Sequence, residues 1–279
     1  MKIIELSEDK KELFCLCLED CSDEAREAGP KRRQWLERNE KLGLRAKLAV
    51  DDNGVEGGMI QYGPIEHSMV GGEGLYFIYC IHVHGYRQGR GKFRGHGMGS
   101  AMLSAAEEDA RQLGAKGMAA WGVWLPFWMR ASWFKKHGYR KADRQGLAVL
   151  LWKPFTEDAK PPHWLAPTGK RPEDLEEQAK RPIDKKLGEQ AKCPIDKKVN
   201  VTAFSSGWCL AQNLVYERAK RASEELGERV VFREIDTSTR AAVAEWGIAD
   251  AVLVDGKNLQ KGPPPSYQKI RKAIAKRLR

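Results

Sequence analysis

Residues Tyr79 to Ala110 read YCIHVHGYRQGRGKFRGHGMGSAMLSAAEEDA, and the rest of the chain is organised around this stretch. It begins as an apolar strand, Leu75 to Val83, and passes through a glycine-rich turn. It then enters a segment, Gly99 to Leu113, whose apolar or small residues at 102, 103, 106 and 110 recur at helical spacing. Gly95, Gly97 and Gly99 therefore lie between a strand end and a helix start. Cα atoms without side chains let the backbone approach a ligand there, and several N–H groups converge on one point. The helix dipole adds to them, so the turn suits a diphosphate, with Arg94 positioned for a charge-assisted contact. GxxxxGK[ST] is absent, and GHGMG lacks both the GxGxxG spacing and the later acid of a dinucleotide site.

Outward from this stretch, the N-terminal half reads as mixed α/β. A helix is predicted from Ser7, whose Ser-Glu-Asp supplies a cap and first-turn acids. Leu44 to Val50 and Gly57 to Tyr62 form a hairpin about Asp-Asp-Asn-Gly. Gly117 to Val123 is a strand, Pro126 to Lys136 a short helix and Leu147 to Lys153 a last strand. Residues 156–198 break the pattern with six of the thirteen prolines and a twelve-residue repeat, EQAKRPIDKK (Glu177 to Lys186) and EQAKCPIDKK (Glu189 to Lys198). They read as a charged linker, because two copies are too few for a solenoid. From residue 199, strands at Val199 to Phe204, Val230 to Ile235 and Ala251 to Val254 alternate with helices at Leu210 to Leu226, Ser238 to Trp246 and Ser266 to Leu278. The expected layout is a domain at 1–155, a linker at 156–198 and a compact domain at 199–279.

With 42% apolar and 31% charged residues, the 279-residue chain fits a soluble globular protein of two domains. No apolar run is long enough to span a membrane and the N-terminus lacks an export signal, so a cytoplasmic location and no membrane partner are expected. The net charge of +10 is spread thinly, with IRKAIAKRLR (270–279) its densest cluster. No aromatic-basic interleaving accompanies it, which disfavours nucleic acid. Six cysteines at irregular spacing, without a CxxC pair, read as reduced thiols. Cys17 and Cys21 share a helix face, but without His or further thiols nearby no metal is expected.

Arg94-Gly95-His96-Gly97-Met98-Gly99 matches R/Q-x-x-G-x-G/A, and the chain over residues 1–155 resembles the GNAT superfamily of N-acetyltransferases. Ile81-His82-Val83 and the segment Ala131-Ser132-Trp133-Phe134 to Gly138-Tyr139 share in the likeness. The resemblance implies a GNAT fold, a mixed central sheet flanked by helices. It further implies acetyl-CoA as acyl donor, with its diphosphate on Arg94, Gly95, His96, Gly97, Met98 and Gly99, its pantetheine arm alongside Val83, and transfer to an amine. Tyr86 to Phe93 is inserted relative to the family's short turn, which leaves open whether Arg87, Arg90 and Lys92 reach phosphate or solvent. The family's usual acid, a tyrosine, is replaced by Phe134. His82, His84 and Tyr139 are the catalytic candidates, with Cys80 and Tyr76 as further ones; each also reads as a strand or packing residue. The run Trp121, Trp124, Phe127, Trp128, Trp133 and Phe134 is part core, part wall of an apolar acceptor pocket. The acceptor expected is a small-molecule amine, with a protein acceptor as the alternative.

In the second domain, a strand, then Ser205-Ser206-Gly207-Trp208-Cys209, then a helix resembles the thioredoxin-like fold. Cys209 is the candidate reactive thiol, by virtue of a helix N-terminus, or else a buried apolar residue. Gln212 stands at the CxxC partner position, and Ile248-Ala249-Asp250 where a cis-proline would precede the third strand, so dithiol exchange is not expected. With GPPPSY (Gly262 to Tyr267), the two halves resemble acetyltransferases that carry a YoaP-type C-terminal domain. The alternatives to an enzyme acetylating an amine are a non-catalytic acyl-CoA-binding sensor or interaction protein and a monothiol redox protein acting through Cys209.

Overall fold

The computed structural model describes residues 1–124, 129–169, 198–259 and 262–278. It divides into one unit of Met1–Ala166 with Gly207–Leu210 and a second of Pro167–Ser206 with Ala211–Arg279. The linker repeat falls outside the described residues except for Lys198, as do Phe127 and Trp128.

The first unit is built on seven strands: β1 (Lys2–Glu5), β2 (Arg45–Val50), β3 (Glu56–Pro64), β5 (Leu75–Val83), β6 (Gly117–Val123), β7 (Arg140–Gln145) and β8 (Ala148–Pro154). They run in the order β1-β2-β3-β5-β6-β8-β7, and β4 (Val70–Gly71) pairs separately with β9 (His163–Trp164). All neighbours in the large sheet are antiparallel except β5 and β6, so the predicted mixed α/β architecture is the one observed. α3 (Met98–Gln112) covers one face, packing Met102, Leu103, Ala106 and Ala110 against Ile60, Ile78, Met118 and Ala120.

α1 (Lys11–Cys15) and α2 (Asp23–Glu40) were not both expected. The helix foreseen at Ser7 is a 3-10 turn, Glu8–Lys10, that runs into the five-residue α1. α2 is an eighteen-residue helix that sequence reading passed over. Its Ser22 side chain accepts from the Ala25 N–H, and its buried face carries Ala25, Ala28, Gly29, Arg32, Trp35, Leu36 and Asn39. Pro30 in the second turn removes one donor, but the apolar and small face still recurs at helical spacing. α4 (Ala131–Lys136) is shorter than predicted. Between it and β8 lies β7, a polar edge strand joined to β8 at Gly146.

In the second unit the sheet order is β11-β10-β12-β13, from β10 (Val199–Ser205), β11 (Val230–Asp236), β12 (Ala251–Val254) and β13 (Lys257–Asn258). β10 is parallel to β11 and antiparallel to β12. The helices are α5 (Leu210–Glu225), α6 (Arg240–Trp246) and α7 (Tyr267–Ala275). Val201, Ala203, Val215, Ala219, Val252, Ile270 and Ile274 form its core. Among the described residues no helix is long and apolar enough to cross a membrane.

Candidate functional site

The parallel pair β5 and β6 is in register only from Leu75↔Gly117 to Ile78↔Ala120, after which the strands part. Two features account for this. β5 carries an extra residue, Tyr79, because Gln61 pairs with Cys80 and Tyr62 with Ile78; such a bulge increases local twist. The Tyr79 carbonyl accepts from the Trp121 Nε1–H at 2.8 Å, a side chain taking the place of a backbone donor. β6 turns to another partner, Val123 N–H donating to the Met129 carbonyl at 2.8 Å. A Cβ on Gly122 would lie 2.8 Å from that same carbonyl, so a residue without a side chain is required there.

The His84 N–H donates to Gly57 O on the β3 side, so by strand alternation the amides of Ile81 and Val83 face the other way, into the fork. A cavity of about 660 Å³ occupies this place, lined by Ile81, His82 and Val83, by the start of α3 and by residues 129–136. Gly97, which precedes the first residue of α3, has φ +80°, and Gly95 has φ +91°. Neither conformation suits a residue bearing a Cβ. No side chain caps this helix and no acid lies in its first turn, which leaves the N–H groups of Met98, Gly99 and Ser100 facing the cavity. At Gly99 an added Cβ would come within 3.4 Å of the Trp133 ring, so the small residue sets how closely α3 passes the far wall. The charged side chains lining the cavity are Arg94, Arg130 and Lys136, all cationic. Arg94 Nε also donates to the Val83 carbonyl at 3.2 Å.

Of the residues expected at a cofactor site, Val83, Arg94, Gly95, Gly97, Met98 and Gly99 line this cavity, whereas His96 is exposed and does not. The catalytic candidates are dispersed. His82 lines the cavity, its Nε2 buried with no hydrogen-bond partner. Burial, with the Arg94 charge beside it, holds its imidazole down at about 4, so the ring is neutral near pH 7. His84 is buried off the cavity; its Nδ1–H donates to the Gly91 carbonyl at 2.6 Å and pins the inserted loop. Tyr139 is also off the cavity, packed at 5.4 Å on Phe134 and beside Glu107. Burial, then the Glu107 charge, pushes its phenol well above the ordinary value. Cys80 is buried in the sheet and Tyr76 packs on Tyr62. Phe134 and Trp133 do line the cavity, while Trp124 is exposed.

Arg90 does not reach toward phosphate: it donates to the Glu56 carbonyl at 2.9 Å and pairs with the Glu56 and Asp20 carboxylates. Sequence reading missed a polar chain on the cavity wall. The His137 Nδ1–H donates to the Trp133 carbonyl at 2.9 Å, which leaves Nε2 to accept from the Ser100 hydroxyl, also at 2.9 Å. Its signal was present as a hydroxyl in the first turn of α3 and a His four residues after Trp133. Cys209, at the start of α5, is buried. Among the described residues no cluster of His, Cys, Asp or Glu could hold a metal ion.

No family profile and no curated protein matches the chain. Among solved structures it is similar to the PaiA N-acetyltransferase of Thermoplasma acidophilum in complex with coenzyme A, at 16% identity and TM-score 0.42 over 55% of this chain and 98% of that one. It is similar to the ribosomal-protein-alanine N-acetyltransferase of Brucella melitensis, at 19% identity and TM-score 0.41 over 56% and 100%. A third is the GNAT family N-acetyltransferase YhbS of Escherichia coli in complex with CoA, at 12% identity and TM-score 0.42 over 58% and 88%.

Proposed function

We propose that the first unit is an acetyl-CoA-dependent N-acetyltransferase of the GNAT type that moves an acetyl group directly to an amine. One observation carries the reading: the β5–β6 pairing stops at Ile78↔Ala120 beside a helix whose first turn is uncapped, glycine-lined and flanked only by cations. The fork offers the amides of Ile81 and Val83 to a chain of alternating donors and acceptors, as pantetheine is. The first turn of α3, with Arg94, offers N–H groups and charge to a diphosphate. A bound acyl thioester supplies an acyl carbon that takes up the amine nitrogen as its C–S bond breaks. His82, neutral and facing the cavity, accepts the proton the amine gives up. Ser100, Trp133 and Phe134 form the wall opposite, and the aromatic rings favour an apolar acceptor.

Phe134, a buried ring where the family places a hydroxyl, favours one second reading, an acyl-CoA-binding protein without turnover. Calorimetry with acetyl-CoA, paired with CoA release across a panel of amines, separates the two. Binding with turnover that rises with amine hydrophobicity supports the enzyme, binding without turnover supports the sensor, and no binding defeats both. For the second unit we propose a thioredoxin-like, YoaP-type accessory domain. Its strand order, with a parallel β10–β11 pair and antiparallel β12 and β13, supports that reading, and Gln212 at the CxxC partner position speaks against dithiol exchange.

A further inference from the structure

Arg32 on α2 is 1% exposed, and no carboxylate among the described residues lies within ion-pair reach of it. A buried guanidinium cannot shed its charge by losing a proton, and an ion taken out of water without a partner costs several kcal/mol. What it meets instead is the Phe14 carbonyl at 3.0 Å, the Gln61 side-chain oxygen at 2.8 Å, the face of the Phe14 ring at 4.8 Å and, closest of all, the Cys17 sulfur at 2.6 Å. Its Nε has no partner. The dipoles of one carbonyl and one amide do not offset a full charge, and among the described residues the group touching the guanidinium that can become negative is the Cys17 thiol.

The backbone fixes this contact. Cys17 and Leu18 follow α1 in the left-handed region, with φ of 51° and 65°, and the turn is closed by Cys17 N–H to Phe14 O and Leu18 N–H to Leu13 O. Such conformations cost a non-glycine residue roughly 1–2 kcal/mol each. They are held here by Leu18, which is fully buried. The turn swings the Cys17 sulfur onto Arg32 while leaving the residue half-buried and open to small reagents.

We propose that Cys17 is a nucleophilic modification site, a thiol whose negative sulfur is stabilised by the buried Arg32 guanidinium and which attacks small electrophiles, hydroperoxides among them. With a hydroperoxide, the sulfur attacks one peroxide oxygen, an S–O bond forms and the O–O bond breaks. The departing oxygen leaves with the electron pair and a proton, as water from hydrogen peroxide or an alcohol from an alkyl hydroperoxide. Sulfur is oxidised by two electrons to a sulfenic acid and the peroxide is reduced. This site is separate from the cavity and does not depend on its ligand.

The test uses the full chain at pH 7 with limiting iodoacetamide, and fragment spectra of the digest report the rate at each cysteine. Cys21, exposed and four residues away, is the internal reference. With the guanidinium against its sulfur, Cys17 should react at least about threefold faster than Cys21. Hydrogen peroxide followed by a sulfenic-acid trap should mark Cys17 first. Arg32→Met, where circular dichroism shows it folded, should drop Cys17 below Cys21. If Arg32→Met does not fold, the wild-type ordering decides alone: Cys21 or Cys209 reacting as fast as Cys17, or first, overturns the proposal.

Discussion

Acidification tests the placement of His82 directly. In the folded chain burial, aided by the Arg94 charge, holds its imidazole at about 4, against 6.5 for an unperturbed ring. The unfolded chain therefore takes up the proton first as the pH falls. Stability is untouched above about pH 7, begins to decline through 6.5, and goes on declining until the folded ring itself titrates near 4. Between pH 7.5 and pH 5 this one group removes roughly 2 kcal/mol, and roughly 3 by pH 4. Other groups titrate over the same range, so the measurement is a difference of differences: urea unfolding of wild type and His82→Asn at pH 7.5 and at pH 5. The wild type should lose about 2 kcal/mol more than the variant over that interval. Labelled-histidine NMR gives an independent reading, a ring whose resonance does not move until well below pH 5. A double difference near zero, or a ring that titrates near 6.5, would show that the His82 ring is hydrated in the folded chain and would refute this placement.

Gly97→Ala forces a Cβ into a left-handed residue at the start of α3 and should lower stability by about 1–2 kcal/mol in thermal melts while weakening acetyl-CoA binding in calorimetry. Tyr139→Phe removes a hydroxyl that lies off the cavity; kcat and KM for acetyl-CoA should stay within about twofold, and a hundredfold loss of kcat would place that hydroxyl in the chemistry. Arg90→Met leaves the nearly buried Glu56 with only Lys10 as its cationic partner, so stability should fall by about 1–3 kcal/mol with acetyl-CoA affinity retained. A selective rise in KM in that variant would instead put Arg90 at the phosphates.

The strand Leu75–Val83, the helix after the glycines and the strand Gly117–Val123 were legible because each is a long periodic segment whose local pattern and tertiary role agree. α2 was harder to see: a proline in its second turn and ten charged residues obscured its buried face. β7 could not be seen at all, since a polar edge strand shows no alternation to read. At the site, the glycines declared themselves through backbone geometry. The roles of the histidines did not, because His82 and His84 are two residues apart and what separates them is the Gly91 carbonyl that holds the His84 ring, a contact not written in spacing. Arg90 was ambiguous for the same reason, its carboxylate partners lying 34 and 70 residues away in the chain.

The parting of β5 from β6 means that this wall would grip its guest by main chain rather than by side chain. Replacing Ile81 or Val83 with other β-branched residues leaves the same N–H and C=O groups in the same places, so a scan of ordinary substitutions would pass over the strand almost silently. Proline alone, by deleting a donor, would be heard. The wall opposite, built from the rings of Trp133 and Phe134, has no such immunity, and substitutions there would change what the cavity admits while the strand's berth stays as it is.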